Sequence, residues 1–463
     1  MKKRKLFLGF LILTLLSCNY VTQMIVPPTA TPIPTATVTP TITASPTASP
    51  VPLVPAFIPP QCASTPFATV APDAIVEPTP ESDANPEISS GEQLRILSEL
   101  GNIVEEVYVY PDFNGKDWRE IESRYKTMIE AGLDTETFYL EMQNMIGELE
   151  DEHSFFLSPL DVERSEAELR GENNYVGIGV YGDPNPERGN MVVISTFPGS
   201  AAEHAGIQAH DSLLQADGMP IIDENFNRLR GPECSAVIVT VQSPGEAPRD
   251  VMLIRHSLQG NLQIESQLVP TTDGSRIGYL FIPTFFDETI PPQIETALNE
   301  FGQLDGLILD VRMNGGGSSN VANPIMGYFA SGRLGQFVSR FESRPLSVEA
   351  NPIQNSQTVP LVVLVSEDTV SYGEIFAGIM RDSRDAKISG ETSLGNVEVL
   401  NRYQFEDGSQ VWLATETFFP AHSDENWEET GIVPDIQAFA DWETFTFETD
   451  PSIAAALSLL GHK

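Results

Sequence analysis

The chain has 463 residues, 41% of them apolar, with 65 acidic against 26 basic side chains and a formal net charge of -39. That length divides into several domains, and the apolar share is enough to build cores. The charge balance excludes an extended nucleic-acid interface, which needs clustered Lys and Arg, and it disfavours broad contact with an anionic membrane surface.

Lys2, Lys3, Arg4 and Lys5 precede an apolar run from Leu6 to Leu16. The run has the length of a signal-peptide core and is too short for a comfortable transmembrane span. It ends in Leu15-Leu16-Ser17-Cys18, a string that resembles a bacterial lipobox, whose cysteine is acylated and becomes the mature N-terminus. The other reading is an ordinary signal peptide with an incidental cysteine. Residues 1–18 are expected to be a lipoprotein signal peptide, so that the protein sits in the cell envelope, outside the cytoplasm, on acyl chains at Cys18. Each buried methylene of such chains contributes about 0.8 kcal/mol. Residues 19–86 are dominated by Pro, Thr, Ala and Ser and read as a disordered, extended tether. Cys62 falls in this stretch and Cys234 in a folded one, and whether they pair is left open. Without a CxxC motif or a Cys/His cluster, neither a metal site nor a cofactor is expected.

Residues 87–165 carry apolar side chains at helical spacing, as in Ile96, Leu97, Leu100, Ile103, Val104 and Val107, and predict a helical subdomain. Asp134 or Thr135 is placed to cap its last helix. Over residues 166–260 the pattern changes to short strands with glycine turns. Tyr175-Val176-Gly177-Ile178-Gly179-Val180, Pro198-Gly199-Ser200-Ala201-Ala202 and Asp217-Gly218 follow in an order that resembles a PDZ domain of the bacterial protease kind. By that resemblance Gly177, Ile178 and Gly179 hold a peptide's C-terminal carboxylate while the peptide adds as a strand. Residues 261–463 alternate strands, at Ile277–Ile282, Gly306–Val311 and Val359–Val365, with helices at Pro291–Phe301 and Tyr372–Asp382, the pattern of an α/β core.

Two strand ends carry the chemistry. Asp310-Val311-Arg312-Met313-Asn314-Gly315-Gly316-Gly317 runs from a strand into three glycines that can aim N–H groups at one point. No Gly-Lys-Ser/Thr follows, so a phosphate loop is excluded and an oxyanion hole is the remaining chemistry. Thr369-Val370-Ser371-Tyr372-Gly373-Glu374 is a strand-to-helix turn with a serine at its apex. By itself that turn fits a helix N-cap as well as a nucleophile.

Together with Ser389-Gly390-Glu391-Thr392 and Gly431-Ile432-Val433-Pro434-Asp435, these segments resemble the tail-specific (C-terminal processing) serine peptidases over about residues 88 to 460. The resemblance implies a crotonase-like α/β core with a helical subdomain and an inserted PDZ domain, and a serine endopeptidase acting on polypeptides. It makes Ser371 the nucleophile and the N–H groups of Tyr372 and of Gly316 or Gly317 the oxyanion hole. The chain departs from the family's best-known branch, whose general base is a lysine, because Asn396 stands at that position. Tricorn-like and retinol-binding-protein-like relatives, and a chlamydial secreted protease, use histidine with a glutamate instead. Leu149-Glu150-Asp151-Glu152-His153 and Trp427-Glu428-Glu429-Thr430-Gly431 match those contexts. His153 and Glu428 thereby complete a candidate triad, with Glu429 and His422 as fallbacks. Histidine suits the task because its ordinary pKa lies near working pH. Two other readings stay open, a catalytically inactive peptide-binding scaffold and a ligand-binding relative of the family. His153 read alone is a solvated helix-end histidine.

Overall fold

The structure, a computed structural model, describes residues 53–63, 84–151, 153–163, 176–185, 188–222, 227–257 and 261–462. The expected signal peptide with Cys18 and most of the expected tether lie outside the described residues. Among the described residues, no helix is long and apolar enough to cross a membrane.

Helices α1 (Ser90–Val107), α2 (Trp118–Ala131) and α3 (Thr135–Gly147) begin where side chains can cap them. Ser89 and Glu92 form a reciprocal capping box, Asp117 accepts from the Glu120 N–H, and Asp134 accepts from the Thr137 N–H. Their apolar faces do not form a core by themselves. Leu100, Ile121, Phe138 and Met142 pack with Phe156, Val411 and Leu413, which belong to a sheet partly built from residues beyond 330. Strand β1 (Phe155–Leu157) supplies the link, pairing antiparallel with a long strand so that Phe156 lies opposite Val411.

Strands β2 (Val176–Gly177), β3 (Val180–Asn185) and β4 (Asn190–Thr196) open the next region. Helix α4 (Ala201–His204) follows, then β5 (Ser212–Ala216), β6 (Met219–Pro220), β7 (Ala236–Gln242), β8 (Arg249–Ile254) and β9 (His256–Ser257). The order across the sheet is β3-β4-β5-β7-β8, with β6 paired to β5, while β2 pairs with β9. Ile178, Ala202, Ile207, Leu213, Val237 and Val239 fill its core. Within the stretch expected as tether, Pro60–Cys62 forms a 3-10 turn. Cys62 is disulfide-bonded to Cys234, with 5.3 Å between the Cα atoms. Phe57 stacks on His204 with ring centroids 3.9 Å apart.

The largest core surrounds a sheet of order β10-β11-β12-β15-β16-β19. Its strands β10 (Ser266–Val269), β11 (Ile277–Phe281) and β12 (Gly306–Asp310) are separated by helix α5 (Ile290–Phe301) between the last two. Helix α6 (Ser319–Phe329) leads out to β13 (Gly332–Val338) and β14 (Ser343–Val348), and the chain returns through β15 (Leu361–Val365) and helix α7 (Tyr372–Arg384) to β16 (Lys387–Gly390). Strands β17 (Val399–Gln404) and β18 (Gln410–Pro420) form a hairpin, and helix α8 (Trp427–Thr430), β19 (Ile436–Gln437) and helix α9 (Pro451–Leu459) complete the chain. Within this sheet β11, β12, β15, β16 and β19 pair in parallel, with β10 antiparallel at one edge. Every residue of β11, β12 and β15 is buried, as a parallel strand covered on both faces requires. This is an α/β fold. The second sheet, β1-β18-β13-β14 with β17 on β18, had no counterpart in the sequence reading and carries the helical subdomain.

The Cys62–Cys234 bridge spans 172 positions of sequence and so restricts the unfolded chain strongly. Changing both cysteines to serine is expected to lower stability by about 2–4 kcal/mol. It should also open residues 53–63 to limited proteolysis; denaturant titration and protease mapping of the double variant check both outcomes.

Candidate active site

Ser371 lies between β15 and α7 with φ 55° and ψ -123°, a left-handed conformation that costs a non-glycine residue about 1–3 kcal/mol. Several bonds hold the turn in place. Thr369 is fully buried, its Oγ1 donating to the Val311 carbonyl at 2.9 Å and accepting from the Ser366 N–H at 2.9 Å. The Val370 N–H donates to the Asn314 carbonyl at 3.0 Å. Gly373 presses on the same carbonyl, where a Cβ would stand 2.6 Å from the oxygen. Ser371 makes no capping hydrogen bond with its side chain, so the helix-cap reading does not describe it.

The glycine loop after β12 is shaped around this serine. A Cβ on Gly316, at φ +95°, would lie 2.7 Å from Ser371 Cβ and 3.1 Å from its Oγ. Gly317 at φ +143° would meet the Phe285 backbone at 2.3 Å. The fully buried Asn314 sets the turn, its Nδ2 donating to the Ile282 carbonyl at 2.9 Å and its Oδ1 accepting from the Gly316 N–H at 2.9 Å. The Gly316 N–H is therefore engaged, whereas the Gly317 N–H has no acceptor among the described residues. Tyr372 is the first residue of α7, where a backbone N–H has no intrahelical partner.

His153 sits just before β1, and the pairing of β1 with β18 fixes its place. Asp151 secures the approach by accepting from the N–H groups of His153 and Ser154 and from Ser154 Oγ, which in turn accepts from the Ala414 N–H. The imidazole is buried, not solvated, and its Nδ1 lies 2.7 Å from Oε2 of the equally buried Glu398. The other Glu398 oxygen accepts from the Tyr110 hydroxyl at 2.5 Å. Glu428 joins them, so that one ligand atom from each of His153, Glu398 and Glu428 lies within 4.8 Å of the other two. A Glu428 oxygen accepts from the Val397 N–H at 2.8 Å. Glu428 is positioned by its neighbour Trp427, which is fully buried and packs against Gly378 of α7 so closely that a Cβ there would meet the indole at 2.5 Å.

One buried carboxylate ties the serine's helix to this cluster. Glu374, in the first turn of α7, accepts from Ser393 Oγ at 2.6 Å, from the Gly395 N–H at 2.7 Å and from the Asn396 N–H at 2.7 Å. The same short segment continues through Val397 to Glu398. Among the described residues, no hydrogen bond joins Ser371 Oγ to His153.

Two carboxyl groups and an imidazole share this dry volume, and their titration reflects it. Burial, the largest single effect, lowers the His153 pKa; the Glu398 contact, together with the Glu428 and Asp151 charges, outweighs it, and the pKa ends above the usual 6.5. Burial and the Glu398 charge push the Glu428 carboxyl up to about 8, with His153 opposing. Burial also raises Glu374, against hydrogen bonding from Ser393, Gly395, Asn396 and the Ser371 backbone.

Of the residues singled out from sequence, Ser371, Tyr372, Gly316 and Gly317 come together at one turn, and His153 and Glu428 at the neighbouring cluster. Glu429 is exposed and accepts from the Asn426 side chain, and His422 is exposed near Asp382; neither fallback joins the cluster. Gly177, Ile178 and Gly179 are buried between β2 and β3, and the carbonyls of Ile178 and Gly179 accept from Ala202, Phe197 and Ser200 around the start of α4. The sequence reading missed Glu398, Tyr110 and Glu374. Glu398 lies two residues after Asn396, and a buried-type acid beside a lost lysine was the available signal; Tyr110 offered none.

Residues 276–438 match the peptidase family S41 model and residues 92–147 the tricorn protease C1 domain. A carboxyl-terminal-processing protease of Synechocystis sp. is 27% identical over 381 residues, covering 80% of this chain and 87% of that protein. The protein of the same name from Picosynechococcus sp. is 29% identical over 385 residues, covering 79% of this chain and 88% of its own. The structure of a photosystem II D1 C-terminal processing protease superposes with a TM-score of 0.54 at 25% identity, covering 81% of this chain and 98% of that one.

Two consequences follow from the charges. In a histidine titration followed by NMR, His153 is expected to titrate above 6.5, and Glu398→Gln to lower it, because burial is then opposed only by the Glu428 and Asp151 charges. Glu428 rises from 4.5 to about 8 on folding, so its contribution to stability is full below 4.5 and is lost as pH rises through about 8. Glu428→Gln should therefore gain stability over the parent as pH is raised from 5 to 8, measured by thermal unfolding. A constant difference across that range contradicts the assignment.

Proposed function

The chain belongs to the tail-specific serine peptidases of family S41, and on that premise we propose that it is an exported, lipid-anchored endopeptidase that works with a Ser371–His153–Glu398 triad. The observation that carries this reading is the 2.7 Å approach of Glu398 to His153 Nδ1. A carboxylate there keeps the proton on Nδ1 and leaves Nε2 as the base, and it stabilises the imidazolium once that forms. His153 takes the Ser371 proton as Oγ attacks the scissile carbonyl, and the oxyanion meets the N–H groups of Gly317 and Tyr372. His153 then returns the proton to the leaving amine, and water hydrolyses the acyl-enzyme by the same route. In this scheme Glu398 takes the orienting place first read for Glu428, and Glu428 stands behind it as a second carboxyl. This aligns the chain with the histidine-using branch of the family, and it accounts for Asn396, which serves through its backbone N–H on Glu374.

The named relatives process carboxyl termini, and we extend that substrate class to this chain. The β3-β4-β5-β7-β8 unit is read as the inserted PDZ domain of a crotonase-like core. Its Gly177-Ile178-Gly179 loop would turn its N–H groups to a substrate's terminal carboxylate while the peptide extends the sheet. Export rests on the basic residues before Leu6–Leu16, and anchoring on Cys18. The Cys62–Cys234 bridge fits an oxidising compartment.

Purified protein is expected to cleave an unstructured polypeptide, with Ser371→Ala and His153→Ala each lowering kcat by at least about 10³. The acidic limb of kcat/KM should fall above pH 6.5, since a raised pKa keeps the base protonated to higher pH. Equal cleavage by all three proteins would refute the triad. Cys18→Ser is expected to move the protein from the membrane pellet to the soluble fraction, and an unchanged distribution overturns the anchor.

A further inference from the structure

The His153–Glu398–Glu428 cluster has a chemistry that the peptidase reading leaves unused. Its three groups come from separate elements, the lead into β1, the lead into β17 and α8. Each offers a ligand atom within 4.8 Å of the others. The side chains of His153 and Glu398 are 4% and 1% exposed. Glu398 Oε2 has one close polar neighbour, His153 Nδ1 at 2.7 Å, and among the described residues no other donor reaches it, so a lone pair stays open. A buried, under-satisfied carboxylate oxygen thus faces an imidazole nitrogen and a second carboxyl. Two carboxyl groups this close repel one another when both are ionised, and a cation shared between them relieves that repulsion.

We propose that this cluster is an inhibitory binding site for a divalent transition metal, with Zn²⁺ the best fit. Imidazole nitrogen and carboxylate oxygen are both zinc ligands, and bonds of about 2.0–2.2 Å to a tetrahedral ion put ligand atoms about 3.3–3.6 Å apart. The cluster reaches that spacing by side-chain adjustments of about an ångström, with water as fourth ligand. Two glutamates neutralise the ion's charge. Binding displaces the protons on His153 Nδ1 and Glu428 to solvent. With the metal on Nδ1, the remaining imidazole proton resides on Nε2, the nitrogen that must accept from Ser371. The metal therefore silences the base without touching the nucleophile. No ligand spacing in the sequence announces such a site, since the three residues are distant along the chain.

The inhibitory part rests on the triad reading, so binding and inhibition are measured separately. Full chain carrying Ser371→Ala, in detergent, is titrated with ZnCl₂ against a chromophoric chelator. One Zn²⁺ per chain is expected, with Glu398→Gln and Glu428→Gln each weakening it at least tenfold and the distant His462→Ala leaving it unchanged. Circular dichroism melts establish that each variant is folded, and Glu428→Gln, which changes a half-buried carboxyl, serves if another is not. Absence of binding, or binding indifferent to both glutamates, overturns the site. Active chain should lose peptidase activity in step with occupancy and regain it with EDTA. Binding with full activity overturns the inhibition, whereas binding by a chain without peptidase activity would overturn the triad reading and leave the metal site standing.

Discussion

The carboxylate of Glu374 is the contact on which the site depends. It is fully buried on the nucleophile's helix and accepts three hydrogen bonds from one short segment, residues 393–396. Lone buried carboxylates are expensive, and three donors offset the cost only while the segment holds its shape. Ser393 is fixed from the other side as well, since its Oγ also accepts from the Ile432 N–H at 2.7 Å. From there the chain leads directly to Val397, which holds Glu428, and to Glu398, which meets His153. The helix that begins at Ser371 and the carboxylate that meets His153 are thus connected through six consecutive residues, 393–398, rather than by a long path through the core.

Close approach explains where glycine is found. Gly316 faces Ser371, Gly378 lies under Trp427, and Gly431, at φ +62°, sits where a Cβ would stand 2.2 Å from the Ser393 carbonyl oxygen. Each removes one side chain so that two segments carrying functional groups can touch. Strain at Ser371 is held in the same way, by the buried Thr369 and Asn314 on either side of the turn.

A second buried charge network reaches the six-stranded β3–β8 unit. Arg312, just ahead of the glycine loop, pairs with Asp310 and Asp450 at 2.6 Å each, and its guanidinium lies 5.1 Å from the Trp442 ring centre. Trp442 donates from its indole nitrogen to the Val193 carbonyl in β4, and its own carbonyl accepts from His210 Nδ1 in the same unit at 2.8 Å. The C-terminal segment therefore joins that unit and the glycine loop through side chains that are all engaged, and the ion pairs fix a particular arrangement more than they add stability.

Much of this was legible along the chain. Helical periodicity and capping residues located α1 to α3, continuous apolar runs marked β12 and β15, and the glycines after Asp310 and the apical serine marked the two turns that carry the chemistry. These are local signals, because they express backbone geometry and the need to bury one face. Ser371 at its apical turn, His153 as the proposed base and Asn396 at the lysine position were all readable in sequence. Which acid meets His153 was not. Glu398, Glu428 and Glu429 are equivalent as letters, and the choice among them follows from β17 and β18, whose pairing no local pattern specified, and from Trp427 seating on Gly378. The Cys62–Cys234 bond was undecided for the same reason. Sequence alone determined which residue types stand at the turns; only the packing of distant strands decided which of them meet, since contact between remote segments is set by the summed burial of the whole core rather than by any stretch of chain.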